Sequence, residues 1–143
     1  MRWAVSALLL SLGGASCAVS VSEPPPQRVA PGQAVSLKIG ESAVSTDGQL
    51  RFGVEGVSAD SRCPKNAKCV WAGDATVRVW LQRGTGPKES RDLHAATGGA
   101  REAPDPGVRL LRLEPVPVVG RTLEPRDYVA TLVFGAAPAA PER

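Results

Sequence analysis

The residues of this 143-residue chain that could do chemistry are few: three cysteines, a single histidine and three tryptophans. Two of the cysteines and one tryptophan share the stretch Asp60-Ser61-Arg62-Cys63-Pro64-Lys65-Asn66-Ala67-Lys68-Cys69-Val70-Trp71-Ala72-Gly73-Asp74. Five residues separate Cys63 from Cys69, which is neither the short cysteine hook of a zinc site nor the redox Cys-x-x-Cys pair. A metal site would have to recruit His94 and a carboxylate as well, so no metal and no cofactor is expected. His94 is the only candidate base for a nucleophile. Asp92, two residues before it, would point the same way in a strand, but nothing in the sequence marks a nucleophile or an oxyanion hole. No carboxylate pair stands out as an acid/base dyad. The sequence therefore reads as non-catalytic, with a redox-sensitive or hydrolytic enzyme as the lesser alternative.

The N-terminus says where the cysteines reside. Met1-Arg2-Trp3 gives a positive start, residues 4–12 an apolar run, and Gly13-Gly14-Ala15-Ser16-Cys17 a small-residue end. That is the build of an export leader, too short to remain as a membrane-spanning helix. Its end resembles a bacterial lipobox, in which small residues precede a cysteine that is diacylated and becomes the new N-terminus. Ala15 and Ser16 fit; Gly14 stands where Leu is usual. The resemblance implies lipidation at Cys17 and attachment to a membrane of the cell envelope. The alternative is ordinary cleavage after Ala18, which discards Cys17 and releases a periplasmic or secreted protein. Either way Cys63 and Cys69 remain as an even pair in an oxidising compartment, where a disulfide is the simplest outcome. Closing a seven-residue loop contributes roughly 2.4 kcal/mol on the chain-entropy model.

Composition narrows the rest. Fifteen glycines and thirteen prolines favour turns and short strands over long helices. The formal charge is +3, or +2 once Arg2 leaves with the leader, and the basic residues are scattered with acids beside them (Arg91-Asp92, Arg101-Glu102, Arg126-Asp127). A nucleic-acid footprint needs basic residues gathered on one face, so no nucleic-acid partner is expected.

The elements that must position the cysteine stretch follow from period-two alternation. Residues 18–33 read as a Pro-rich, disordered spacer. Val35, Leu37 and Ile39 alternate with polar neighbours. Asp47-Gly48 marks a hairpin turn, and Leu50, Phe52 and Val54 form a second strand that runs on through Val57 toward the cysteines. Beyond them Ala75, Val77, Val79 and Leu81 make the cleanest strand, with Trp80 on its other face. Residues 89–95 and 108–113 give two more strands, the latter with mixed faces because Leu110 and Leu111 are consecutive. A long loop lies between them. Pro115 and Pro117 confine Val116, Val118 and Val119 to an edge or a connection. Residues 128–134, apolar on both faces, form a central strand, and residues 136–143 a disordered tail. The sum is one all-β domain over residues 34–135, behind a leader over residues 1–17. Its expected architecture is an antiparallel β-sandwich of about six or seven strands, immunoglobulin-like or related, with a barrel as the alternative.

The signature Asp-Ser-Arg-Cys-Pro followed by Cys-Val-Trp-Ala-Gly resembles that of a family of small, uncharacterised exported bacterial proteins and lipoproteins. Weaker matches continue through Leu37-Lys38-Ile39-Gly40-Glu41, Gly53-Val54-Glu55-Gly56-Val57 and Asp127-Tyr128-Val129-Ala130-Thr131-Leu132. The resemblance implies compartment and architecture and transfers no catalytic residue. What remains open is whether the cysteine loop only staples two strands, with Trp71 packed near the sulfurs, or also binds. In the second case Arg62, Lys68, Trp71 and Trp80 form the candidate patch, suited to an envelope protein, a glycan or another anionic partner.

Overall fold

The computed structural model describes residues 18–95 and 107–135. Among them are eight strands: β1 (Gln27–Val29), β2 (Val35–Lys38), β3 (Ser42–Ser45), β4 (Leu50–Asp60), β5 (Ala75–Arg83), β6 (Lys88–His94), β7 (Val108–Glu114) and β8 (Val129–Phe134). They form a five-stranded sheet, ordered β1-β3-β4-β5-β6, and a three-stranded sheet, ordered β2-β8-β7. The two sheets face each other and do not close into a barrel. The expected all-β sandwich is what the chain adopts, with eight strands in place of six or seven.

The inward positions are those the alternation marks. Leu37 and Val35 of β2, Phe52 and Val54 of β4, and Ala75, Val77, Val79 and Leu81 of β5 are buried, while the residues between them in β2 and β5 are exposed or half-buried. Strand β8 is the middle strand of its sheet, and Ala130, Leu132, Val133 and Phe134 are all buried. The Phe52 and Phe134 rings meet across the sheets with centroids 5.8 Å apart. The consecutive leucines of β7 are reconciled by a register shift: Leu110 pairs with Leu132 and Arg112 with Thr131, so Leu111 is the extra residue of a bulge. The bulge turns Leu111 out to solvent and returns Leu113 to the core.

Two strands lie where the sequence shows no strand pattern. Strand β3 precedes the Asp47-Gly48 turn and pairs antiparallel with β4. Strand β1 falls inside the stretch expected to be a spacer and adds to the sheet edge parallel to β3. The folded part thus begins ahead of Ala34, with Val29 already in the core. The leader, Cys17 and the tail lie outside the described residues, as do residues 96–106 of the expected long loop.

The outer face of the five-stranded sheet carries Trp80. In the row Ser42–Gly53–Trp80–Ser90, the indole lies over Gly53: a Cβ there would stand 2.6 Å from Trp80 Nε1. Lys88 Nζ sits 4.1 Å from the ring centroid, a cation–π contact. A groove of about 250 Å³ beside the ring is also lined by Pro24, Pro25 and Pro26, so the prolines run against this face.

Candidate functional site

Strands β4 and β5 form a long hairpin whose far end, residues 61–74, is the cysteine loop. The ladder runs past the strand ends: Ser61 N–H donates to Asp74 O at 2.7 Å and Cys63 N–H to Ala72 O at 3.0 Å. Cys63 and Cys69 are joined in a disulfide with Cα atoms 5.9 Å apart. Gly73 has φ +69°, and a Cβ there would overlap the Ser61 carbonyl oxygen at 1.8 Å. Only glycine satisfies both the turn and the close approach.

Arg62 binds this loop to the opposite sheet. Its guanidinium donates from Nε to Asp60 Oδ1 at 2.8 Å and from Nη2 to Asp60 Oδ2 at 2.7 Å. It also donates from Nη1 to Leu113 O at 2.6 Å and from Nη2 to Pro115 O at 2.9 Å, at the end of β7. Tyr128 Oη, just before β8, donates to Asp60 Oδ2 at 3.1 Å. The ion pair is largely shielded, with 14% and 10% of the Arg62 and Asp60 side chains exposed. Burial pushes the Asp60 carboxyl up, but the hydrogen bonds from Arg62, its charge and the Tyr128 hydroxyl outweigh this and hold it below the ordinary carboxylate value. Burial, reinforced by the neighbouring Asp60 carboxylate, raises the Tyr128 phenol above its usual value. Arg62 is therefore a structural tie, its guanidinium turned to Asp60 and to the carbonyls at the end of β7.

The segment after β7 leans on the loop through the backbone. Lys65 N–H donates to Pro117 O at 3.0 Å, and Val119 N–H to Asn66 Oδ1 at 2.8 Å. The two loops together display Val70, 92% exposed, Trp71, 83% exposed, and Val119, 58% exposed. Lys65, Lys68 and Arg121 are exposed beside them and make no ion pair among the described residues. The expected packing of Trp71 near the sulfurs is not found. Trp71 stands one residue beyond the Cys63–Ala72 rung and is exposed to solvent.

Of the expected patch, Lys68 and Trp71 share the loop's outer surface. Arg62 lies beneath it, and Trp80 sits on the sheet face with Lys88 over its ring. Val70, Val119, Lys65 and Arg121 join Trp71 and Lys68, and sequence reasoning did not assign them to a patch. The one signal was Val116, Val118 and Val119, apolar residues that Pro115 and Pro117 keep out of a sheet.

The remaining chemical candidates are paired elsewhere. His94 Nδ1 lies 2.6 Å from Asp74 Oδ2, so its carboxylate neighbour is on the cysteine loop. Asp92 instead takes Arg78 Nε at 2.9 Å and Nη2 at 3.3 Å. That hydrogen bond, opposed by slight desolvation, lowers the Asp92 carboxyl below its usual value and raises the Arg78 guanidinium. Among the described residues no three His, Cys, Asp or Glu side chains gather as a metal ion would require, and no helix is long and apolar enough to cross a membrane. No family model, curated protein or solved structure matches this chain.

Proposed function

We propose that this protein is an exported, lipid-anchored, non-catalytic component of the cell envelope whose β-sandwich acts as a binding module through the cysteine loop. The observation that carries the binding role is Trp71. A large apolar ring 83% exposed two residues past the Cys63–Cys69 disulfide costs solvation unless something covers it. The leader, the lipobox-like end at Cys17 and the resemblance of the Asp60–Gly73 stretch to exported lipoproteins support the compartment.

The test of the binding role is a photo-crosslinking residue placed at position 71 in cells. Adducts from position 71, with none from the bulge position Leu111, itself 49% exposed, are expected; equal yields from both positions would refute it. For the anchor, intact mass of the mature protein should carry a diacylglyceryl adduct on Cys17. An unmodified chain starting at Val19 would overturn lipidation and leave the loop's role standing.

A further inference from the structure

The surface formed by the two joined loops has a composition that limits what can cover it. No acidic residue occurs between Ser61 and Gly73, or between Pro115 and Leu123. Lys65, Lys68 and Arg121 are thus unopposed cations around an apolar tip of Val70, Trp71 and Val119. At 83% exposure the domain covers little of the Trp71 side chain. An exposed indole flanked by aliphatic side chains and ringed by lysine and arginine suits the interface of an anionic bilayer. There the ring enters the headgroup layer and the cations meet lipid phosphates.

The N-terminal segment places such a surface within reach. Pro24–Pro26 lie against the sheet beside Trp80, and β1 follows at once. Between Cys17 and Pro24 only residues 18–23 are left, which span about 20 Å when extended. From Gly53, at the level of Trp80, to Asp60 at the base of the loop, β4 covers about 23 Å. A domain on so short a tether stays close enough to the bilayer for its cysteine-loop end to touch it. The diacylated Cys17 holds the chain to the membrane, and a basic, apolar patch fixes which end of the domain meets the lipid.

We infer that the joined loops, with Trp71 as the inserting ring and Lys65, Lys68 and Arg121 as its cationic rim, dock the domain onto an anionic phospholipid surface. This rests on the proposed anchoring at Cys17, which the intact-mass measurement reads separately. The domain is tested as residues 18–143, exported behind a fully cleaved leader so that the disulfide forms; this chain keeps the whole core, which runs from Val29 to Phe134. Vesicles of phosphatidylglycerol and phosphatidylcholine are compared with vesicles of phosphatidylcholine alone, by co-sedimentation and tryptophan emission. Salt-sensitive partition to the anionic vesicles, with a blue shift lost in Trp71→Ala, is expected. Lys65→Ala/Lys68→Ala should weaken partition by about fivefold per lysine removed. All three side chains are exposed, so circular dichroism should be unchanged in both variants. Equal partition to the two vesicle types, or anionic binding untouched by both variants, overturns the inference. So does a crosslinked protein at position 71 in the absence of vesicle binding. If Cys17 carries lipid and the vesicles are ignored, only the docking fails; if Cys17 carries none and the vesicles bind, only the anchor does.

Discussion

Replacing Arg62 by alanine should be among the most damaging single changes in the domain, although the sequence presents it as a surface cation. Four side-chain hydrogen bonds disappear, two to Asp60 and one each to the Leu113 and Pro115 carbonyls. The Asp60 carboxylate, 10% exposed, is left with the Tyr128 hydroxyl and the backbone N–H of residue 62. Hydrogen bonds to charged groups contribute about 1.5–3 kcal/mol each, and water entering the gap recovers part of this. An uncompensated shielded carboxylate adds its own penalty. The expected cost is about 3 kcal/mol, which lowers the urea midpoint by about 2 M for an m-value of ~1.5 kcal/mol/M. The Lys65 amide, held by Pro117 O across the two loops, should lose exchange protection in the same variant. Because much of the penalty is the orphaned carboxylate, Asp60→Asn/Arg62→Met should be more stable than Arg62→Met alone. A midpoint shift under about 0.5 M for Arg62→Ala, or a double variant no better than the single, would refute the idea that this residue ties the sheets together.

Two further changes follow from the same geometry. Gly73→Ala should cost at least about 2 kcal/mol, because φ +69° is unfavourable for alanine and the new Cβ meets the Ser61 carbonyl; a urea midpoint equal to wild type would contradict it. Stability should also fall on acidification. The Asp60 pKa is depressed in the folded state, so its contribution is fully present above the ordinary carboxylate value of ~3.9 and is lost as the pH drops through the lower folded value. Urea midpoints at pH 6 and pH 3 should therefore differ less in Asp60→Asn than in wild type, and equal differences would assign the acid sensitivity to other groups.

What sequence could reveal depended on whether a residue's role was local. The inward sets of β2, β4, β5 and β8 follow from period two, because one buried face imposes the pattern directly. The Asp47-Gly48 turn is likewise local chemistry: Asp47 Oδ1 accepts from Gln49 N–H at 3.0 Å, and Gly48 takes φ +74°. Strand β3 was missed because two of its four residues are buried serines. Ser45 belongs to the turn, where its Oγ accepts from Leu50 N–H and donates to Asp47, and Ser42 lines the groove beside Trp80. Strand β1 was missed because its pairing is parallel and at an edge, behind three prolines that read as spacer. Arg62 was misplaced for a different reason. Its partners at Leu113 and Pro115 are backbone carbonyls about fifty residues away, which no side-chain pattern announces.

The cysteine loop acquires a specific physical character from these contacts. A loop that only joined β4 to β5 could be short, since two residues suffice for an antiparallel hairpin. This one is fourteen residues long, and several constraints fix it independently: the disulfide, the Cys63–Ala72 rung, the Arg62 tie, the Lys65–Pro117 and Asn66–Val119 bonds, and a glycine at the only position that fits its re-entry. None of these contacts uses the side chains of Val70 and Trp71, which are left exposed to solvent. Restraint of this kind lowers the ordering cost of a contact made by the tip, because its backbone is already held in one arrangement. It also separates two experiments that are usually confounded. Changes below the tip, at Arg62 or Gly73, alter stability first and binding through it. A change at Trp71 leaves the fold intact and isolates the exposed surface.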